Sequence, residues 1–245
     1  MNLFFYTHGV EFQIGKINMS NKQAKQYLIQ SVDQIVRHLQ QTIKQHRFNY
    51  RTFGTEIEDF VTDKLVEILE KGSFIKTKND YKIARTKNDF PDFTLKSNPY
   101  LALEIKSGNR SKISKGQWTT CKNSNNDMGT LNRWFKKIKQ FGSENIYYLF
   151  IEYNFNDKVQ EIIDVKIAPF YNFLGLNREG LLKYREKDGN LRPKDFSASS
   201  PIQSFKQFNH LFSKTVIFRS KRITKKHLKN IPEKEREKFL EELKD

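Results

Sequence analysis

The run FPDFTLKSNPYLALEIKSG, residues 90–108, constrains this chain more than any other stretch. Two apolar strings, roughly 90–96 and 100–107, flank Ser97, Asn98 and Pro99, which break strands and favour turns, so an antiparallel hairpin is expected. Side chains alternate faces along a strand, so Leu101, Leu103 and Ile105 point one way while Ala102, Glu104 and Lys106 point the other. An acid and a lysine therefore share one face of a strand that is otherwise fit for burial. Asp92, near the neighbouring position of the adjoining strand, can bring a second carboxylate to the same point.

Two carboxylates a few ångströms apart repel, and a divalent cation that prefers oxygen relieves the repulsion. Such an ion orders a water and neutralises charge developing on a phosphate. The lysine beside it can orient that water, stabilise the pentavalent anion or accept a proton, and the spacing leaves all three roles open. This is chemistry for cleaving phosphodiesters. The alternative is a solvated strand face on which Glu104 and Lys106 are a surface pair and Asp92 is a turn acid.

The pattern PD…E-x-K in a strand–turn–strand setting resembles the PD-(D/E)XK nuclease superfamily. NDFPDFTL followed by LALEIKS is similar to the active-site hairpin of the EcoRV-type Type II restriction endonucleases, through Pro91, Asp92, Phe93, Thr94 and Leu95 and then Glu104, Ile105 and Lys106. The resemblance implies an α/β (α+β) fold with a restriction-endonuclease-like core, a central mixed β-sheet flanked by helices. It also implies Asp92 and Glu104 as ligands of Mg²⁺ and Lys106 as the residue that positions or activates water. In that family a glutamate on a preceding helix completes the acidic site. Glu58, in GTEIEDFVTDKL, takes this position as a third implied ligand of the metal, although Thr55 and Glu58 also fit a capping box. The chain departs from the EcoRV branch in carrying Glu104 where that branch has an aspartate, and in a shorter turn between Leu95 and Tyr100.

The charge balance narrows the partner. Lys and Arg number 44 against 28 Asp and Glu, a formal net charge of +16, which points to a polyanion. No apolar stretch reaches the roughly 18 residues of a membrane span, and the basic residues are scattered, so nucleic acid is favoured over a lipid surface. The amino terminus has neither a basic leader nor a long apolar run, giving an expectation of a cytoplasmic protein. A single cysteine, Cys121, excludes an internal disulfide and a cysteine-clustered zinc site. The five histidines show no paired metal-ligand spacing.

Periodicity organises the rest. Ala24, Leu28, Val32, Ile35, Leu39 and Ile43 predict one amphipathic helix over 20–46, and Ile57, Phe60, Val61, Leu65, Ile68 and Leu69 predict another over 55–71. Residues 73–84 read as extended. LNRWFKKIKQF predicts a helix over 131–141, followed by strands in NIYYLFIEY and VQEIIDVKIA. Residues 177–201 lose periodicity and read as exposed and flexible, and Pro232 opens a last helix. One domain over 1–245 is expected, with 20–170 as catalytic core and 171–245 as a DNA-recognition loop and a helical carboxy-terminal part.

The DNA-facing candidates lie in three places: Arg85, Lys87 and Asn88 before the hairpin; Asn109, Arg110, Lys112, Lys115 and Gln117 after it; and Arg185, Asn190, Arg192 and Lys194 further on. Asn, Gln and Arg can read base edges, while lysines mostly neutralise phosphates. What the resemblance implies is a Type II restriction endonuclease. Such an enzyme is a homodimer on a short palindromic site in double-stranded DNA, with a cognate DNA methyltransferase in the same host. The apolar amino-terminal segment and the 20–46 helix are the candidate dimer contacts. Two alternatives stand beside this: a structure-specific repair or junction-resolving nuclease of the same fold, and a non-catalytic DNA-binding protein.

Overall fold

A computed structural model describes residues 21–49, 52–86, 89–96, 100–110, 127–155, 160–194 and 198–242. Its centre is a five-stranded mixed sheet in the order β1 (Tyr81–Ile83), β2 (Phe93–Leu95), β3 (Leu101–Asn109), β4 (Ile146–Phe155) and β5 (Gln160–Pro169). β3 and β4 are parallel and every other pair is antiparallel. A parallel pair needs a crossover, which carries the expected helix as α4 (Leu131–Phe141). The class is α+β, a mixed sheet with helices on both faces.

Alternation along β3 and β4 divides the core. Leu101, Leu103, Ile105, Leu149 and Ile151 face one hydrophobic layer, and Ala102, Tyr148 and Phe150 face the other. The first layer is covered by α1 (Asn21–Gln30), α2 (Val32–Gln45) and α3 (Phe53–Lys71). The single helix expected over 20–46 is broken at Ser31. Its hydroxyl donates to the Tyr27 carbonyl at 2.8 Å, competing with the helical ladder and bending the chain. The apolar stripe survives the break, with Ala24, Leu28, Ile35 and Leu39 all buried against β5 and α3. That stripe, a candidate for contact between two copies, is therefore occupied within the chain; the other candidate, the segment before Ser20, lies outside the described residues.

The second layer holds α4, apolar residues of the 170–191 segment, Ile202 and the first half of the helix that follows. Residues 174–193 fold back in bridges Leu174–Pro193, Leu176–Leu182 and Tyr184–Leu191, with Leu182 and Leu191 fully buried. This corrects the expectation of an exposed, flexible stretch over 177–201. The apolar residues are too sparse to show a period, yet Leu182, Tyr184 and Leu191 are each pinned by a bridge and a core contact. Beyond them runs α5 (Phe205–Leu228), where the sequence reading assigned no element. Ser204 caps it, and Phe208, Phe212 and Thr215 are buried. Only its first turns carry an apolar face, and the charged remainder dilutes the pattern. The last helix, α6 (Glu233–Glu242), falls where Pro232 placed it. Among the described residues no helix is long and apolar enough to cross a membrane.

Candidate active site

The hairpin forms with its acids aligned. On the β3 side β2 pairs with Leu101–Leu103, and Phe93 stands opposite Leu103, so continuing the register by one residue sets Asp92 opposite Glu104. There β2 leaves the sheet while β3 runs on to Asn109 beside β4. The released edge would leave the Ile105 amide without a strand partner, and the Asp92 carboxylate accepts it, Oδ2 lying 2.6 Å away. On the same face of β3, Lys106 Nζ lies 2.7 Å from Glu104 Oε1. Glu104 Oε2 is buried and has no hydrogen-bond partner among the described residues.

Glu58 arrives from α3. That helix starts at Phe53 with Thr52 as its N-cap residue, so Glu58 lies a turn inside and the capping-box alternative with Thr55 is not realised. Ser107 Oγ lies 3.1 Å from Glu58 Oε1 and 3.0 Å from the Gly54 carbonyl, with both oxygens acting as acceptors for its single proton. A Cβ on Gly54 would stand 2.8 Å from that hydroxyl. The glycine lets the first turn of α3 press on β3, and this close approach carries Glu58 to the end of the hairpin.

Burial raises Glu58 to about 7, reinforced by the charges of Asp92 and Glu104 and opposed by Lys106 and the Ser107 hydroxyl. Burial likewise raises Asp92 to about 6, with Glu104 adding to the shift while Lys106 and the Ile105 amide oppose it. Lys106 moves the other way: burial pulls its amine down, but Glu104, Asp92 and Glu58 outweigh it and leave its pKa above the ordinary value. Lys106 is thus a held ammonium among three acids.

Two clefts meet here. One, of about 600 Å³, runs between α3 and the segment around Arg85, and is walled by Glu58, Asp92 and Lys106. The other, of about 660 Å³, lies between α4 and the 185–190 turn, with Glu104 and Lys106 at its floor. Arg133, Lys136 and Lys137 of α4 line the second cleft. Lys137 did not emerge from the sequence, where it is one of several lysines in LNRWFKKIKQF. The available signal was its place three residues after Trp134 and four before Phe141, on the edge of the buried stripe.

The expected DNA contacts separate into groups. Arg85 is exposed at the mouth of the first cleft. Asn109 and Arg110 are drawn into the structure instead: the Asn109 amide exchanges hydrogen bonds with the Phe155 backbone, and Arg110 is 5% exposed and pairs with buried Glu152 at 2.7 Å. Both side chains are thus spent on contacts with β4. Arg185 binds Asp188 and Asp127, and Arg192 binds Asp127. Asn190 bridges to Thr130 through its backbone and lines the second cleft. Lys194 donates to the Ala198 carbonyl. Lys87, Asn88, Lys112, Lys115, Gln117 and Cys121 lie outside the described residues.

Among the described residues no group of three or more His, Cys, Asp or Glu is placed to hold a metal ion. Asp92, Glu104 and Glu58 are not drawn together as one ligand trio, since Glu104 holds Lys106, Asp92 holds the Ile105 amide and Glu58 turns to Ser107. The donor chemistry nevertheless suits a hard divalent ion. Asp92 and Glu104 are facing oxygen donors, and the buried, unpartnered Glu104 Oε2 is an acceptor in want of a positive partner.

No family model and no curated protein matches this sequence. Among solved structures the chain is similar to NlaIV restriction endonuclease, with a TM-score of 0.48 and 16% identity over 69% of this chain and 66% of that one.

Proposed function

We propose that this protein is a Mg²⁺-dependent endonuclease that hydrolyses phosphodiester bonds in double-stranded DNA at a short palindromic site, acting as a homodimer in the manner of a Type II restriction enzyme. The observation that carries the reading is the gathering of Asp92, Glu104 and Lys106 where β2 leaves β3, with a buried Glu104 oxygen unsatisfied and Glu58 held nearby on Ser107. A surface pair on a solvated strand would leave no buried oxygen without a partner.

Asp92 and Glu104 would hold the ion, which when bound supplies Lewis-acid stabilisation and a more acidic water. Lys106, kept protonated by its three acids, serves as a donor: it orients the attacking water or takes a non-bridging phosphate oxygen as negative charge builds. Glu58, raised to about 7, is suited to exchange a proton with that water near neutral pH. In the step, water oxygen bonds to phosphorus, one phosphorus–oxygen ester bond breaks, a proton leaves the water and the departing oxygen takes a proton from solvent.

Incubation of the protein with unmethylated phage DNA tests the reading. Discrete bands with Mg²⁺ and none with EDTA are expected. A continuous ladder, or a preference for branched DNA, would move the reading to a structure-specific nuclease; binding without cutting on varied DNA would leave a DNA-binding protein.

A further inference from the structure

The second cleft holds an amine that the proposed hydrolytic residues do not account for. Lys137 Nζ lies 3.4 Å from the centroid of the Phe90 ring and 4.8 Å from that of Trp134. A Cβ on Gly129 would stand 3.3 Å from it, so the ammonium is enclosed on three sides. Among the described residues it makes no hydrogen bond or ion pair, although Glu104 and Lys106 line the same cleft. A partly desolvated ammonium held against ring faces, with Glu104 the main charge favouring its protonated form and Lys106 and Arg133 opposing it, gains strongly from a further anion.

Three of the acids that line the cleft are already taken, and the fourth, Glu104, holds Lys106 with one oxygen and leaves the other for the proposed ion. Asp127 is bound by Arg185 and Arg192, Asp188 by Arg185, and Asp89 accepts the Arg85 and Thr86 amides. What the cleft offers an incoming ligand is therefore the cationic face of α4, where Arg133 and Lys137 are neighbours one turn apart.

We propose that Lys137 binds one backbone phosphate of the DNA strand being cut, on the α4 side of Glu104 and Lys106, opposite the side from which Glu58 approaches. This rests on the nuclease reading and adds to it a strand path through the second cleft.

The test uses a short duplex carrying the cut site mapped by sequencing product ends, with binding measured in EDTA so that nothing is cleaved. Lys137→Gln should weaken binding by about tenfold, the scale of one charged hydrogen bond. It should also lower the slope of log affinity against log salt by about 0.9, one phosphate contact. Methylphosphonate placed at each position in turn should reveal one phosphate whose neutralisation weakens the wild type equally but does not weaken Lys137→Gln further, and Lys137→Arg should restore most of the affinity. If Lys137→Gln melts early, Lys137→Met, which keeps the stem against Phe90 and Trp134, takes its place. Unchanged affinity and slope, or additive losses at every position, overturn the inference while leaving the nuclease reading intact. A wild-type protein that neither binds nor cuts duplex DNA overturns both.

Discussion

Asp92 and Glu58 are carboxyls whose ionisation the fold opposes. Their pKa values stand near 6 and 7, against ordinary values of 3.8 and 4.5. Between the ordinary and the raised values the folded chain binds more protons than the unfolded one, so their contribution to stability is full below about pH 4 and is lost as pH rises through 6 and 7. The metal-free protein should accordingly melt at a lower temperature at pH 8 than at pH 5, and Glu58→Gln should flatten that fall. Equal pH slopes for wild type and variant would contradict the assignment. Mg²⁺ added at pH 8 should recover part of the loss, as any ligand of the folded state does, and Glu104→Gln should abolish the recovery. At this scale the site was partly legible: alternation put Glu104 and Lys106 on one face, and the turn brought Asp92 opposite. Glu58 was legible only through the family resemblance, because its approach depends on the contact of Gly54 with Ser107, 53 residues further along the chain. Lys137 was hidden among like residues.

Elements with a strong period emerged where expected. The hairpin, α4 and the two long strands have apolar runs whose alternation or length admits few alternatives. The break at Ser31 and the helix over Phe205–Leu228 did not, since a single back-bonding hydroxyl decides the first and tertiary burial of a few phenylalanines decides the second. The segment around Leu182 and Leu191 shows how burial overrides composition. Leu191→Ala should cost about 2–5 kcal/mol, as for a core leucine, measured by denaturant unfolding. A cost below about 0.5 kcal/mol would return the segment to the surface. At the far end of β3, Glu152→Ala should destabilise by about 3–5 kcal/mol, because it leaves the Arg110 guanidinium buried without its carboxylate. A cost within about 0.5 kcal/mol would mean that the pair does not fasten β3 to β4.

The whole molecule combines a formal charge of +16 with a site built around three acids. Diffuse positive charge draws a polyanion, and a small acidic centre can act on it only through a cation that cancels the local repulsion. Duplex DNA binding should therefore weaken steeply with salt and should not require Mg²⁺, whereas cutting should. The most direct test of the account is single-turnover cleavage of one duplex by wild type, Asp92→Ala and Lys106→Ala, with Mg²⁺ and with duplex binding followed in parallel. Each variant should lose about 10²–10⁴-fold or more in rate, the scale of a positioned catalytic group, while retaining most of its affinity. Cleavage at the wild-type rate by either variant would show that hydrolysis does not take place where β2 leaves β3.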